Sequence, residues 1–440
     1  MVLAIAGCSG GTGSSVTGMP LAAPLATSEA RATPIRHIVF VIQENRSFNN
    51  LFMGFPGATT QRYGYDEYGD TIALQPIGLV TDWDLAHDAI GFFAACNGSG
   101  KLPGTDCKMN GWNGELATRG HPANPAYAYV PRSEIRPYWT IAREYVLADQ
   151  TFASNLDGSF VAHQYAVAAF ASRAVNYPLS AWGCEGGPKD TVATLTEQRV
   201  VGPSVPACFR NPTIAGEADS AGVTWRFYAG AIGGDGGFWS SYQADRNIYT
   251  GPDWKADVIS PQSAFLTDVA KGKLADVTWI APTFEASDHA VLNHGEGPSW
   301  VASVVNAVGT SSFWKSTAIF VIWDDWGGWF DPVPPIHEDY DGLGFRVPLL
   351  IVSPYAKQGY VSHVQHETSS VLRFIEDNFG LPPLAKSDTR ANDPATDAFD
   401  YAQKPRAFKR IPGDKPAAYW MQLERSSWVR GRPAHILGDD

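Results

Sequence analysis

The sequence has no apolar run of the roughly 18–20 residues that a membrane-spanning helix requires, which excludes integration in a bilayer through helices. Charged residues are also scarce, at 18% of 440, and 45 acidic against 33 basic residues give a formal net charge of −12. Nucleic-acid grooves and basic membrane-docking faces need clustered cations, so this balance argues against both. A phosphorylated substrate stays open, because a bound metal ion locally reverses the field.

Several catalytic motifs are absent as well. No glycine-rich phosphate loop ends in Lys-Ser or Lys-Thr, so a nucleotide-dependent kinase or ATPase has no support. No Gly-x-Ser-x-Gly follows a predicted strand, no HExxH occurs, and the five cysteines lack zinc-knuckle spacing. The chain is rich instead in glycine (43), proline (31) and tryptophan (15), a mixture typical of long ordered loops.

Four of the five cysteines form two local groups. Cys96 and Cys107 lie in one glycine-rich loop, and Cys184 and Cys208 lie in another. Two local disulfides would each stabilise the fold by about 3 kcal/mol in the chain-entropy model and would indicate an oxidising compartment. The alternative is four unrelated thiols.

The fifth cysteine, Cys8, ends the segment Ile-Ala-Gly-Cys, which is similar to a bacterial lipoprotein cleavage box. A flexible Gly/Ser/Thr/Ala/Pro-rich stretch follows to about residue 33. No cations precede the short apolar segment, so either the true start lies upstream or this is an ordinary apolar N-terminus. We expect a periplasmic or extracellular protein, with a lipid anchor at Cys8 as an open possibility. The predicted division is a leader and tether (1–32), a catalytic domain (33–412) and a C-terminal tail packed on or extending from it (413–440).

Short apolar runs rich in β-branched residues predict buried strands at 35–42, 223–228, 276–280, Thr317–Trp323 and 347–352. Helical patterns alternate with them, at 136–147, 160–171, 299–308 and 368–379. Strands that alternate with helices predict an α/β fold with a mainly parallel sheet covered on both faces. The long loops 54–126 and 181–222 are expected to be ordered excursions.

Polar clusters follow three of these predicted strands. They are Glu44 with Asn45, Asp324 with Asp325, and the triplet Ser287-Asp288-His289. A single cluster of this kind is usually a helix cap or a solvated turn, but parallel topology brings strand ends to one edge of the sheet. Carboxylate and amide oxygens suit a divalent cation. Adjacent aspartates can share one ion only if the chain turns there, which Gly327 and Gly328 permit.

Ser159 opens a predicted helix directly after a glycine. The plain interpretation is a helix N-cap. The functional interpretation is a catalytic serine at the start of the helix. A helix N-terminus binds phosphate oxyanions, and a serine activated by a metal ion is a nucleophile. His163 follows one helical turn later. His87 and His289, each flanked by acidic residues, could bind phosphate oxygens or protonate a leaving group, although a structural role is commoner for any single histidine.

Together these residues resemble the bacterial phosphoesterase family, which contains non-specific phospholipases C and related periplasmic acid phosphatases. The segments that carry the resemblance are 37–48 (HIVFVIQENRSF), 107–112, the Gly-Ser-Phe-x-x-His-Gln block that contains Ser159 and His163, 323–331, 347–353, 363–376 and, weakly, 397–400. They span about residues 33–410, and as a set they are highly specific.

The resemblance implies an alkaline-phosphatase-like α/β sandwich with a divalent metal ion at the strand ends; Ca, Mg, Mn, Zn and Fe are not distinguished. It also implies the roles of individual residues. The metal ligands would be Glu44, Asn45, Asp324 and Asp325. Ser159 would be the nucleophile; it would also contact the metal and would form a phosphoseryl intermediate. The substrate contacts would be Asn45, His87, His163 and His289. Of these, His87 and His289 would also hold the phosphoryl group or assist the leaving group.

The form of the serine block is similar to the acid phosphatase branch, so phosphomonoester hydrolysis is the leading prediction. A phospholipase C-type attack on phospholipid head groups is the alternative, which a rim of exposed Trp and Phe would support. A catalytically silent surface lipoprotein is the second alternative. Asp331 is followed by Pro332 where the family commonly has a histidine. Whatever that histidine contributes is therefore missing, or is replaced by a neighbour such as His337. The expected partners are a small phosphorylated substrate or a phospholipid head group; nothing indicates nucleic acid or a protein partner.

Overall fold

A central sheet of eight strands organises the molecule. The computed structural model describes residues 30, 32–179, 181–231, 237–291 and 293–427. In chain order the strands are β1 (His37–Gln43), β2 (Val146–Ala148), β3 (Trp225–Tyr228), β4 (Val258–Ile259), β5 (Val277–Ile280), β6 (Thr317–Trp323), β7 (Leu349–Val352) and β8 (Tyr360–Ser362).

The strands lie in the order β4-β3-β5-β1-β6-β7-β2-β8. Neighbours run parallel except at β7, which is antiparallel to both β6 and β2. The whole of β6 is buried, as is β1 after its first residue. Because both of their faces are covered, these strands are continuous apolar runs rather than alternating ones. The prediction of an α/β fold with a mainly parallel sheet is confirmed.

Helices cover both faces of this sheet. Phe320 of β6 packs against Phe374, with ring centroids 4.9 Å apart, whereas Trp323 packs against Tyr138 at 4.9 Å; residues three apart in a strand point to opposite faces. The α-helices of the described residues are α1 (Phe48–Phe52), α2 (Ala89–Cys96), α3 (Arg136–Glu144), α4 (Ser159–Ala168), α5 (Ile214–Ala221), α6 (Arg246–Thr250), α7 (Asp253–Ala256), α8 (Ala264–Ala270), α9 (Gly297–Gly309), α10 (Ser369–Phe379), α11 (Lys386–Arg390) and α12 (Ala417–Ser427).

One predicted helix is too long. The pattern at 136–147 predicts a single helix, but α3 ends at Glu144 and residues 146–148 form β2. The chain leaves the helix at Tyr145, where φ is −132° and ψ is −138°. The apolar residues that follow pair with β7 and β8 instead.

The two long excursions are ordered, as predicted. Short strands run through and beside them, at Tyr63–Tyr65, Thr71–Ala73, Gln75–Pro76, Ala128–Tyr129, Thr151–Phe152, Ala174–Val175, Thr191–Leu195, Val201–Pro206 and His366–Glu367. A second hydrophobic core joins Phe92 and Trp112 of the first excursion to Trp326, Phe330 and Phe345 of a later loop. Disulfides Cys96–Cys107 and Cys184–Cys208 confirm both expected pairs, which fit a protein outside a reducing compartment.

The chain ends bear on the predicted leader and tail. Cys8 and nearly all of the leader lie outside the described residues. In the tail, α12 packs Trp420 against Trp300 of α9, with ring centroids 5.1 Å apart. Of the helices in the described ranges, none has the length and apolar character needed to cross a membrane.

Candidate active site

Two neighbouring strand ends hold the four predicted acidic and amide ligands side by side. Strands β1 and β6 are parallel and in register, with Gln43 opposite Trp323, so the next two residues of each strand leave the sheet together. The backbone N–H of Asn45 donates to Asp324 Oδ1 at 3.0 Å, and Asn45 Nδ2 donates to Asp325 Oδ2 at 2.7 Å. The prediction that parallel topology brings these residues to one edge is confirmed.

The glycine pair after the aspartates provides the expected turn. Gly327 and Gly328 have φ values of +61° and +72°, a region that favours glycine. A Cβ at Gly327 would lie 2.1 Å from the carbonyl oxygen of Asn45, and one at Gly328 would lie 2.3 Å from Leu85 Cβ. The N–H of Gly327 also donates to Asp325 Oδ1 at 2.7 Å. Close packing of this turn therefore holds Asp325 against the end of β1.

Ser159 is the first residue of α4, and its hydroxyl does not cap the helix. Gly158 occupies the N-cap position, so the interpretation of Ser159 as a cap is wrong. Its Oγ accepts a hydrogen bond from Asn45 Nδ2 at 2.9 Å and lies 3.4 Å from both Glu44 Oε2 and Asp325 Oδ2. The serine is 1% exposed, so this hydroxyl lies inside the cluster of predicted ligands.

The turn before Ser159 is fixed by Asp157. Its carboxylate accepts the N–H of Gly158 at 2.8 Å and the N–H of Asn176 at 3.1 Å. Complete burial raises the pKa of Asp157 well above its usual value, although both backbone N–H groups oppose the rise. This carboxyl group ties the start of α4 to the following loop and so positions the serine.

His163 joins the carboxylates one turn along α4. Its Nε2 lies 3.0 Å from Glu44 Oε1 and 4.0 Å from Asp324 Oδ2, while its Nδ1 lies 3.2 Å from Ser241 Oγ. Glu44, His163 and Asp324 each offer a ligand atom within 4.8 Å of the others, and all three are buried. Sequence reasoning placed His163 among the substrate contacts and missed this position; its spacing of four from Ser159 was the available signal.

The cluster fits a divalent metal ion. Asp324 Oδ2 and Asn45 Oδ1 are buried and have no hydrogen-bond partner among the described residues. Buried polar oxygens are costly without a partner, and a cation would satisfy both. One imidazole nitrogen in an oxygen-rich donor set is compatible with several divalent metals.

His87 and His289 form a second group, with ring centroids 5.6 Å apart and both rings buried. The Nδ1 of His87 lies 2.7 Å from the carbonyl oxygen of Leu85, and that of His289 lies 2.6 Å from the carbonyl oxygen of Ala290. A carbonyl oxygen only accepts, so each Nδ1 carries a proton and each ring presents Nε2 on its opposite edge.

Asp288 anchors the loop that carries His289 to both strand ends. The Nε of Arg46 donates to the carbonyl oxygen of Asp288 at 2.9 Å, next to Asn45. Tyr138 Oη and Trp323 Nε1 donate to Asp288 Oδ2 at 2.8 and 3.0 Å. Burial raises the pKa of Asp288 to about 6, and the charge of Arg46 opposes the rise.

His337 is the suggested replacement for the missing family histidine. Its side chain is exposed and lies near Arg199, whose charge adds to desolvation in lowering its pKa, whereas the predicted ligands are buried. Asp331 instead makes a fully buried two-pronged ion pair with Arg346, at 2.8 and 3.0 Å. His337 is thus exposed and stays only a prediction as a replacement, while Asp331 is a buried support for this loop.

Comparisons with known proteins identify what the chain is similar to. A model of the phosphoesterase family matches residues 35–382. Phospholipase C B of Mycobacterium tuberculosis is 26% identical over 86% of this chain and 80% of its own length. A non-hemolytic phospholipase C of Pseudomonas aeruginosa is 24% identical over 87% of this chain and 59% of its own length. A solved structure of an alkaline phosphatase superfamily protein from Vibrio parahaemolyticus aligns with 84% of this chain and 73% of its own, at 12% identity and a TM-score of 0.37. The relatives' names favour the lipid alternative over the phosphomonoester prediction.

Proposed function

Because the chain belongs to the phosphoesterase family and is a phosphoric ester hydrolase, we propose that it is a phospholipase C-type phosphodiesterase that cleaves phospholipid head groups. The observation that carries this choice is the similarity to proteins named phospholipase C over 86% of the chain. The expectation of a phosphomonoesterase depended on one seven-residue block around Ser159. Similarity along most of the chain outweighs that local pattern.

A divalent metal ion is the cofactor in this proposal. Its ligands would come from Glu44, Asn45, Ser159, Asp324 and Asp325, with His163 added by its position beside Glu44. When bound there, the ion supplies positive charge that stabilises the negative charge developing on the phosphoryl oxygens.

Ser159 is the nucleophile in this proposal. Its Oγ attacks phosphorus, and the Oγ–P bond forms while the bond from phosphorus to the diacylglycerol oxygen breaks. The hydroxyl proton passes to a carboxylate, for which Glu44 Oε2 and Asp325 Oδ2 both lie 3.4 Å away. Asn45 Nδ2, at 2.9 Å, orients Oγ for the attack. Water then attacks phosphorus and the Oγ–P bond breaks, which releases the phosphorylated head group. One proton of the water returns to the histidine, and the carboxylate returns its proton to Oγ.

His87 and His289 serve the leaving group and the phosphoryl oxygens. Their Nδ1 atoms are held by carbonyl oxygens, so only Nε2 exchanges a proton with substrate. A ring protonated at Nε2 donates that proton to the departing diacylglycerol oxygen, which balances the proton lost by Ser159. The second ring donates a hydrogen bond to a phosphoryl oxygen when it is protonated at Nε2.

The two disulfides support export to the periplasm or the medium. Anchoring through Cys8 stays a prediction. The partner in this proposal is a phospholipid, with no role for nucleic acid.

Turnover of two chromogenic esters tests the proposal. We expect the enzyme to release p-nitrophenol from p-nitrophenylphosphorylcholine faster than from p-nitrophenyl phosphate, and a chelator to abolish both activities. Ser159→Ala should lower kcat at least about 10³-fold. The matched control is Ser220→Ala, because Ser220 is an exposed serine on α5.

Each part of the proposal can fail separately. Faster turnover of p-nitrophenyl phosphate would favour the phosphomonoesterase prediction over the phospholipase C proposal. A Ser159→Ala enzyme that keeps a tenth of wild-type turnover would exclude Ser159 as nucleophile. Full activity in chelator would exclude the metal. No turnover of either ester by metal-loaded protein would favour the silent binding protein.

A further inference from the structure

Four exposed aliphatic side chains lie on the segments that carry His87 and His289. We call them the aliphatic rim: Val80, Ile90, Leu116 and Val291, exposed by 48, 60, 70 and 46%. Single exposed apolar residues are ordinary, but several on converging segments mark an interaction surface.

One half of the rim borders His87. Leu116 is linked to that segment by the hydrogen bond from the N–H of Ala86 to its carbonyl oxygen, at 2.9 Å. Ile90 lies three residues after His87, in the first turn of α2. These two exposed residues therefore lie on different parts of the first excursion, and a backbone hydrogen bond joins those parts next to His87.

The other half borders His289. Val291 follows it by two residues, and the N–H of Val291 donates to the carbonyl oxygen of Thr81 at 3.1 Å. Val80 precedes that threonine. Since the rings of His87 and His289 are 5.6 Å apart, the two halves belong to one site.

We propose that the aliphatic rim docks on a zwitterionic phospholipid surface and so presents the lipid head group to the buried histidines. This inference rests on the proposed function. Apolar side chains beside the site can enter the boundary between head groups and acyl chains, which brings the phosphodiester towards the site without removing the whole lipid from the bilayer.

The charges near the rim select the kind of surface. Asp82 is exposed and lies two residues from Val80, and Asp88 is partly exposed and lies two residues from Ile90. The whole chain has a formal net charge of −12. An anionic bilayer would repel this face, whereas a zwitterionic bilayer does not.

The rim is aliphatic, although the lipid alternative called for exposed Trp and Phe. Trp83 and Trp329 lie nearby in the chain and the fold, but they are buried and pack against each other at 5.3 Å. Trp83 and Trp329 therefore stabilise the loops, and in this proposal the aliphatic residues make the contact with lipid.

The double variant Ile90→Gln with Leu116→Gln tests the proposal. With phosphatidylcholine vesicles we expect hydrolysis to fall at least about 10-fold, because each substitution replaces branched apolar carbons of the contact with a polar amide. Turnover of soluble p-nitrophenylphosphorylcholine should stay within about twofold, since both side chains are mostly exposed whereas the predicted ligands are buried. The matched control is Val201→Gln, at a 64% exposed valine of another hairpin.

A second readout does not need catalysis. Co-sedimentation of chelator-treated protein with the same vesicles should fall in parallel for the double variant and not for Val201→Gln. Unchanged sedimentation and vesicle hydrolysis would overturn the rim proposal while leaving the proposed function intact. A parallel loss on the soluble ester would also overturn it, because the side chains would then be part of the catalytic site. If the wild-type protein turns over neither substrate, the proposed function is wrong. Co-sedimentation alone then tests whether the aliphatic rim binds vesicles.

Discussion

His163 is the residue whose role changes most between sequence and structure. The sequence predicts it as a substrate contact, and in the structure its Nε2 lies among the carboxylates, 3.0 Å from Glu44 Oε1. We expect His163→Gln to weaken divalent metal binding about 10- to 100-fold, because the ring is either a ligand or the group that orients Glu44. Calorimetric titration of metal-stripped protein measures this. His121→Gln, at an exposed histidine, is the control, and an unchanged dissociation constant for His163→Gln would remove His163 from the site.

Gly327 is a second residue whose small size matters, because it lets the turn pack against Asn45. In Gly327→Ala the new Cβ would lie 2.1 Å from the carbonyl oxygen of Asn45, in addition to the cost of a positive φ. We expect a loss of at least about 2 kcal/mol in the free energy of unfolding, together with weaker metal binding, because Asp325 and Asn45 must move apart.

Gly272→Ala is the matched control for that change. Gly272 has φ of +74°, but no atom lies within 4 Å of its Cβ position, so only the backbone cost applies. Urea denaturation of both variants separates the two contributions. Equal losses would show that the contact with Asn45 is unimportant.

At this scale, the sequence predicted the residues that follow strands and missed the contacts between distant segments. Glu44, Asn45, Asp324 and Asp325 could be placed together because strand ends share an edge in a parallel sheet. The spacing of His163 from Ser159 placed it near the site, but its contact with Glu44 joins residues 119 apart and is not given by that spacing. The role of the Ser159 hydroxyl was ambiguous because the sequence does not fix the first residue of the helix to within one position; the structure gives the N-cap to Gly158.

Among the elements, β2 shows why local patterns can fail. Residues 146–148 continue the apolar periodicity of α3 closely enough to predict a longer helix. Their strand state comes from pairing with β7 on one side and β8 on the other. A run of three apolar residues is compatible with either a helix or a strand. The hydrogen bonds to the neighbouring strands therefore determine that these residues form a strand.

Helix α12 is held to the domain by a titratable contact. Glu424 is buried, and its carboxyl oxygens accept the N–H of Ser263 at 3.1 Å and its hydroxyl at 2.7 Å. Burial raises the pKa of Glu424 from 4.5 to about 7. The folded state then binds this proton more tightly than the unfolded chain, so the added stability is present below about pH 4.5 and disappears as the pH rises through about 7.

Glu424→Gln should remove this pH dependence, because glutamine stays neutral. We expect the melting temperature of wild type to fall more between about pH 5 and pH 8 than that of the variant. Differential scanning calorimetry at both pH values gives the comparison, with exposed Glu67→Gln as the control. An identical pH dependence in Glu424→Gln and wild type would show that the contact does not titrate in this range.

For the whole molecule, the negative net charge makes the proposed lipid docking testable. The protein has a formal net charge of −12, so an anionic vesicle should repel it. We therefore expect phosphatidylcholine hydrolysis to slow at low ionic strength when about a third of the vesicle lipid is replaced by anionic lipid. Salt at about 0.2 M screens the repulsion and should remove most of the difference. Vesicle assays at two salt concentrations, with the soluble choline ester as reference, test this. Faster hydrolysis on anionic vesicles would contradict it.

The class of the fold was accessible from the sequence, whereas the strand order was not. Continuous apolar runs identify strands covered on both faces, and the helices between them indicate parallel connections. The order β4-β3-β5-β1-β6-β7-β2-β8, with β7 reversed, depends on pairings between segments far apart in the chain.

The second hydrophobic core has a consequence for engineering this enzyme. Phe92 and Trp112 belong to the excursion that bears three of the four residues of the aliphatic rim, and they pack against Trp326 and Phe345 from the loop after Asp324 and Asp325. A chimera that exchanges only the excursion with that of a relative would therefore receive a mismatched aromatic interface. Transplanting residues 326–345 together with the excursion would keep that interface intact, so head-group preference could be exchanged as a two-segment cassette while the strand ends stay in place.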